Sequence, residues 1–191
     1  PSSNAFLSLL GSFGAFAAGM IMRPLGALVF GHIDDRIGRR FALMTSLLLM
    51  ALPTFLIGFL PTYTQIGIFA PLVLVVLRMI QGLSVGGEYA SSIVYLVEQS
   101  KSEQQNLYGS FVSVGAKIGM ALGSGVCGIS FWYFGEDAMA QWGWRIPFML
   151  SIFIAFAGIY LRRNLTESYH PKDEKHLPIV AIFKNYQKLF W

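Results

Sequence analysis

Ten residues constrain this chain more than any others: Gly31-His32-Ile33-Asp34-Asp35-Arg36-Ile37-Gly38-Arg39-Arg40. They carry two acids and three arginines, and long runs with almost no charge lie on either side. Taking an ion out of water costs on the order of several kcal/mol, so five of them do not enter hydrocarbon together. The stretch is expected to be a tight connection at a membrane surface, with a membrane-crossing helix on each side.

Composition supports a membrane setting. The chain has 191 residues, 54% hydrophobic and 13% charged, against about 25% charged in a soluble domain. Apolar runs of membrane-spanning length fall at residues 5–30, 41–60, 68–97, 107–134 and 146–161, so the fold class is all-α with five consecutive membrane helices. Gly11, Ala15 and Gly19 in the first span and Gly82, Gly86 and Gly87 in the third recur at spacings that let membrane helices approach closely. The fourth span is also rich in glycine, including Gly115, Gly119 and Gly123. Trp142 and Trp144 edge the loop before the fifth span and fit an interfacial belt. One cysteine, Cys127, excludes an internal disulfide. In the tail, residues 164–176 are polar. Beyond them Ile179, Ile182, Phe183, Tyr186 and Phe190 share a helical face, with Lys184 and Lys188 elsewhere. That pattern fits either an interfacial amphipathic helix or the start of a further buried helix. The start at Pro1, not Met, suggests a piece of a longer chain.

Charge sets the orientation. Arg36, Arg39, Arg40, Lys101, Arg162, Arg163, Lys172, Lys175, Lys184 and Lys188 all fall in connections that alternate with two others, 61–67 and 135–144, which hold no Lys or Arg. By the positive-inside rule the basic connections are cytoplasmic, residue 1 lies outside and residue 191 inside. The net charge of +4 follows from that topology and does not point to nucleic acid as a partner.

Four charges remain inside the spans, with Arg23 near the end of the first. Arg78 and Glu88 lie in the third, and Lys117 about ten residues into the fourth. Such residues face the protein interior, a water-filled cavity or a partner. Glu88 lies ten residues beyond Arg78, about 15 Å along a helix, too far for a direct pair. A buried glutamate is a candidate proton carrier. Lys117 is a candidate for a substrate carboxylate or for a pair with Glu88. No metal-ligand spacing joins His32, His170 and His176, and no phosphate-binding loop occurs. An enzyme is not expected, nor is a cofactor.

The spacing Gly31-x-x-x-Asp35-Arg36-x-Gly38-Arg39-Arg40 resembles the loop signature between the second and third membrane helices of the major facilitator superfamily. Locally, Gly31 is placed to end a helix in a left-handed conformation, Gly38 to allow a tight turn, Asp35 to meet a helix N-terminus, and Arg39 and Arg40 to fork onto carboxylates. Asp34 stands where that family usually has a small residue, and is expected to compete with Asp35 for the same arginines. Arg78-x-x-x-Gly82-x-x-x-Gly86 resembles the family's fourth-helix pattern, whose arginine the family associates with coupling and substrate sites. Tyr95-x-x-Glu98 and Arg163-x-x-x-Glu167 resemble positions that pair with the 31–40 loop at a cytoplasmic gate. Arg23-Pro24-Leu25-Gly26, Gln81-Gly82-x-Ser84-x-Gly86-Gly87-Glu88-Tyr89 and Gly143-Trp144-Arg145-Ile146-Pro147-Phe148 resemble the metabolite:proton symporter family, which includes transporters of proline/betaine, α-ketoglutarate, citrate and shikimate.

The resemblance implies helices two to six of a twelve-helix fold. Residues 1–163 would be part of the N-terminal six-helix bundle and 164–191 the start of the loop between the halves. It implies proton symport of a small organic acid or zwitterionic osmolyte across the inner membrane, with the C-terminal half of the same transporter as a partner. The competing expectation is a truncated fragment that transports nothing, or a regulatory or interaction membrane protein.

Overall fold

In a computed structural model of the chain, the structure describes residues 5–165, with side chains from residue 11 onward. The described residues form helices and no strand: α1 (Ala5–Arg36), α2 (Arg39–Gly58), α3 (Tyr63–Ile66), α4 (Phe69–Gln99), α5 (Gln105–Ala138) and α6 (Arg145–Arg162). All but the four-residue α3 are long and apolar enough to cross a membrane. The amphipathic face expected beyond Leu177 lies outside the described residues.

The polar stretch is mostly helical, so the expectation of a loop at 31–40 needs correction. α1 runs on to Arg36, and only Ile37 and Gly38 separate it from α2. Gly31 does not end the helix. The Ile33 carbonyl accepts from the amides of Ile37 at 2.8 Å and Gly38 at 3.2 Å, which closes the last turn. Gly38 has the positive φ, 124°, a conformation that glycine adopts without a Cβ penalty. Arg36 in the last turn of α1 and Arg40 in the first turn of α2 stay exposed because the chain reverses there, whereas Arg39 is buried.

α4 is the central element and packs against α1 and α2, while α6 packs on α2. Glycine allows the α1–α4 contact. A Cβ on Gly82 would collide with the Gly19 carbonyl, one on Gly86 with that of Arg23, one on Gly26 with that of Leu83, and one on Gly87 with the Phe30 ring. Phe30 is accordingly almost fully buried. Of the first span's expected face, Gly19 packs on the Arg78 carbonyl and Ala15 is buried, while the outer glycines of α1 and those in the middle of α5 have no neighbour among the described residues. A Cβ on Gly11, Gly14, Gly115, Gly119 or Gly123 would meet nothing within 4 Å. Most of α5 stands open, and of its residues only Ser130 is buried.

At the outer end, the expected acidic loop 135–144 is largely helical. Gly135 (φ 76°) kinks α5, and a π-helical turn over Met139–Gly143 leads into α6. The Arg145 guanidinium donates to the Leu60 carbonyl at 3.1 Å, tying the start of α6 to the turn after α2. Pro24 and Pro53 lie inside α1 and α2.

Because the α1–α4 interface has no room for a side chain, Gly86→Val is expected to destabilise the bundle by at least the roughly 1–3 kcal/mol of an overpacked core. The readout is a lower melting temperature and loss of the monodisperse peak in detergent chromatography.

Candidate functional site

The cytoplasmic end holds a charge network built by α1, α2 and α4. Arg39, in the first turn of α2, grips Glu98 near the end of α4 with two bonds, Nε to Oε2 at 3.1 Å and Nη2 to Oε1 at 2.8 Å. Its Nη1 lies 3.3 Å from Asp34 Oδ2. The same Asp34 oxygen accepts a 2.6 Å hydrogen bond from Ser91 Oγ of α4. Asp34 is 2% exposed and Arg39 8%. Such a doubly held arginine offsets the desolvation of its acids through fixed forked geometry.

Of the gate residues expected from sequence, the structure brings Gly38, Arg39 and Glu98 together. Arg40 Nη2 donates to the Arg163 carbonyl at 2.6 Å, and the Arg163 guanidinium stacks over the Tyr160 ring at 4.1 Å. Arg36 is exposed, and Gly31 is half-buried within α1. Asp35 is half-buried and forms no ion pair with a described residue. Competition between the two acids is resolved for Asp34, because its position on α1 faces Ser91 and Arg39 while Asp35 turns away. Glu167 lies outside the described residues.

Deeper in the bundle, two cavities flank α4. One of about 270 Å³ is lined by Arg23, Thr54, Arg78, Gln81 and Phe148, among others. Arg78 Nη1 donates to Gln81 Oε1 at 3.2 Å, Gln81 Nε2 donates to Thr54 Oγ1 at 2.7 Å, and Thr54 Oγ1 donates to the Met50 carbonyl at 2.6 Å. This chain orients the guanidinium across α4 and α2. The other cavity, about 600 Å³, is lined by Glu88, Tyr89, Ser92 and Phe111, among others, between α4 and α5. Glu88 Oε1 pairs with Arg162 Nη2, the last residue of α6, and Arg162 Nη1 donates to the Leu43 carbonyl at 2.6 Å. Glu88 Oε2 is buried and without a hydrogen-bond partner among the described residues.

Arg78, Glu88 and Lys117 are therefore not one cluster. Arg78 and Glu88 line separate cavities, with Met50 and Val85 common to both. Lys117 is on the exposed face of α5, off both linings. The partner of Glu88 is Arg162, which the sequence marks only as part of a basic helix end. Gln81 was legible as a neighbour of Arg78 three residues on. Thr54 and Ser91 carry no signal in the sequence, since each is defined by the helix it faces.

Five apolar helices, a two-residue cytoplasmic reversal locked by an arginine between two acids, and ionisable groups beside cavities mark a polytopic membrane protein. The chain belongs to the Major Facilitator Superfamily, which its sequence matches over residues 2–191. That family consists of multi-pass membrane transporters, not enzymes. A Staphylococcus aureus protein whose proline/betaine transporter name is itself provisional is 40% identical over 168 residues, 88% of this chain and 36% of that protein. The Escherichia coli inner membrane metabolite transport protein YhjE is also 40% identical over 168 residues, covering 88% and 38%. A Haemophilus influenzae protein named for metabolite transport is 38% identical over 189 residues, covering 95% and 42%. The chain thus spans well under half the length of these relatives. Among solved structures, the proton:xylose symporter XylE bound to 6-bromo-6-deoxy-D-glucose superposes with a TM-score of 0.76 at 22% identity, over 88% of this chain and 37% of that one. An inward-open E. coli XylE structure gives 0.74 at 20%, over 100% and 48%. These likenesses show the fold.

The network assigns unequal weight to adjacent acids. Asp34→Ala removes the partner of a buried arginine and a buried hydroxyl and is expected to cost about 3–5 kcal/mol, whereas Asp35→Ala is expected to stay within about 0.5 kcal/mol. Thermal melts of the purified variants in detergent check the ranking.

Proposed function

We propose that the chain is the helix 2–6 segment of a twelve-helix transporter that takes up a small organic acid or zwitterionic osmolyte together with a proton. Residues 1–163 then belong to its first bundle, and residues from 164 onward begin the link to a second half. The observation that carries the reading is the placement of Arg78 and Glu88 on one helix, each at its own cavity, at hydrocarbon depth. The 31 residues of α4 rise about 46 Å, against a hydrocarbon core of about 30 Å. Measured from the helix midpoint at Ser84, Arg78 sits about 9 Å toward the outside and Glu88 about 6 Å toward the cytoplasm.

In this reading Arg78 receives the substrate's carboxylate, with its guanidinium oriented through Gln81 and Thr54. Glu88 carries the proton. Its ion pair with Arg162 ties α4 to α6, and the second Arg162 bond extends the tie to α2. Protonation removes the charge that holds Arg162, so proton binding changes how the cytoplasmic ends of three helices are joined. A change of that kind is what a two-state rocking equilibrium needs to be biased. Lys117 lies near mid-depth on α5 and is exposed. A lysine at that depth faces water or protein, not lipid, which supports it as a second candidate for the substrate's carboxylate, on the wall that α5 presents to the transport pathway. The Asp34–Arg39–Glu98 network holds one half's cytoplasmic ends together, while Asp35 and Arg36 are left for the other half to engage.

The test is uptake of labelled proline, betaine, α-ketoglutarate, citrate and shikimate by the full-length transporter in vesicles. An inward proton gradient is expected to stimulate uptake of one of these. Glu88→Gln is expected to abolish that stimulation and keep substrate exchange. Uptake that ignores the gradient removes symport, and a Glu88→Gln protein that still responds to it removes Glu88 as the carrier.

A further inference from the structure

The Arg78 cavity is lined by a second cation, Arg23 of α1. No aspartate, glutamate or lysine is among its lining residues. Neither arginine is ion-paired with a described residue. Arg78 makes one side-chain hydrogen bond, to Gln81, and Arg23 makes none with a described residue. A guanidinium keeps its charge at any physiological pH. Arg23 is exposed and Arg78 half-buried in the described bundle. Two uncompensated cations lining one cavity repel each other and are costly at membrane depth, so an anionic occupant relieves both.

The two arginines also stand at a fixed spacing. The Arg78 carbonyl lies against Gly19, at 2.9 Å from where its Cβ would be, and the Arg23 carbonyl lies directly against Gly86. Both helices run inward from the outer face, so Arg23 lies four residues deeper than the level of Arg78, an axial offset of about 6 Å. Backbone contact on both sides prevents that offset from relaxing. The remaining lining suits a short carbon chain: Phe16, Met20 and Phe148 are apolar, and Thr54 and Gln81 supply polar contacts. A zwitterion would bring its cationic group to a lining without a carboxylate.

We propose that Arg23 and Arg78 form a paired anion anchor and that this cavity takes a small dicarboxylate, one carboxylate on each guanidinium. The assignment rests on the transporter reading above and narrows it to diacids. Each guanidinium holds its carboxylate as a fork, and the cavity volume of about 270 Å³ limits the chain between them.

The test compares succinate, pyruvate and glycine betaine as labelled substrates for the full-length transporter in proteoliposomes, with Arg23→Gln and Arg23→Lys variants checked for monodispersity. Wild type is expected to take up succinate in preference to the other two. Arg23→Gln is expected to raise the succinate KM at least tenfold while moving the KM of residual pyruvate uptake less than threefold, and Arg23→Lys to recover part of the succinate loss. Betaine uptake without succinate uptake overturns the dicarboxylate assignment and leaves the transporter reading standing. Uptake of none of the three, nor of the wider panel above, sinks the transporter reading itself. If succinate uptake is unchanged in Arg23→Gln, or both acids lose equally, Arg23 is not a second anchor.

Discussion

Helices α1 and α4 meet backbone against backbone, with no side chain between Gly82 and the Gly19 carbonyl. In a bilayer there is little hydrophobic reward for bringing two apolar helices together, so such contacts rely on close packing. Here five glycines, Gly19, Gly26, Gly82, Gly86 and Gly87, remove the atoms that would hold the axes apart. The contact does more than join two helices. It places Arg23 and Arg78 at one cavity, sets Phe30 against Gly87, and brings the end of α1 under α4 so that Asp34 reaches Ser91. The deep cavity and the cytoplasmic network are consequences of one helix crossing.

Charge is then distributed along α4 by depth. Glu98 at the membrane surface is held by Arg39 in a partly hydrated setting. Glu88 has one oxygen on Arg162 and one without a partner. Arg78 is steered by two neutral side chains, which leave its positive charge uncompensated. From cytoplasm to exterior the helix passes from fully paired, to half-paired, to unpaired charge.

The five helices were legible because hydrocarbon demands long uncharged runs, and that demand is written residue by residue. The glycine spacing on α4 also announced its interface correctly. The same signal misled on α5, since glycines mark a packing face without saying whether this chain supplies the partner. Asp34 shows a different limit. The spacing of the 31–40 stretch directs attention to Asp35, yet helical geometry turns Asp34 inward, because α1 continues past Gly31 and rotates each following residue by about 100°. Arg162 could not be assigned from sequence either. Its role depends on α6 returning beside Glu88, seventy-four positions earlier in the chain, and spacing along a chain does not encode that.

The two-residue link between α1 and α2 has a mechanical meaning. Ile37 and Gly38 give no slack, Arg39 clamps the start of α2 to α4, and glycine contacts seat α1 in α4. These three helices are thus tied to one another at the cytoplasmic reversal by the link, the ion pair and the glycine contacts. α5 is joined to α4 by looser side-chain contacts, among them the Tyr89–Ser113 bond at 3.0 Å, and it carries a glycine kink at its outer end. Within the described bundle α4 is therefore seated more closely on α1 and α2 than on α5.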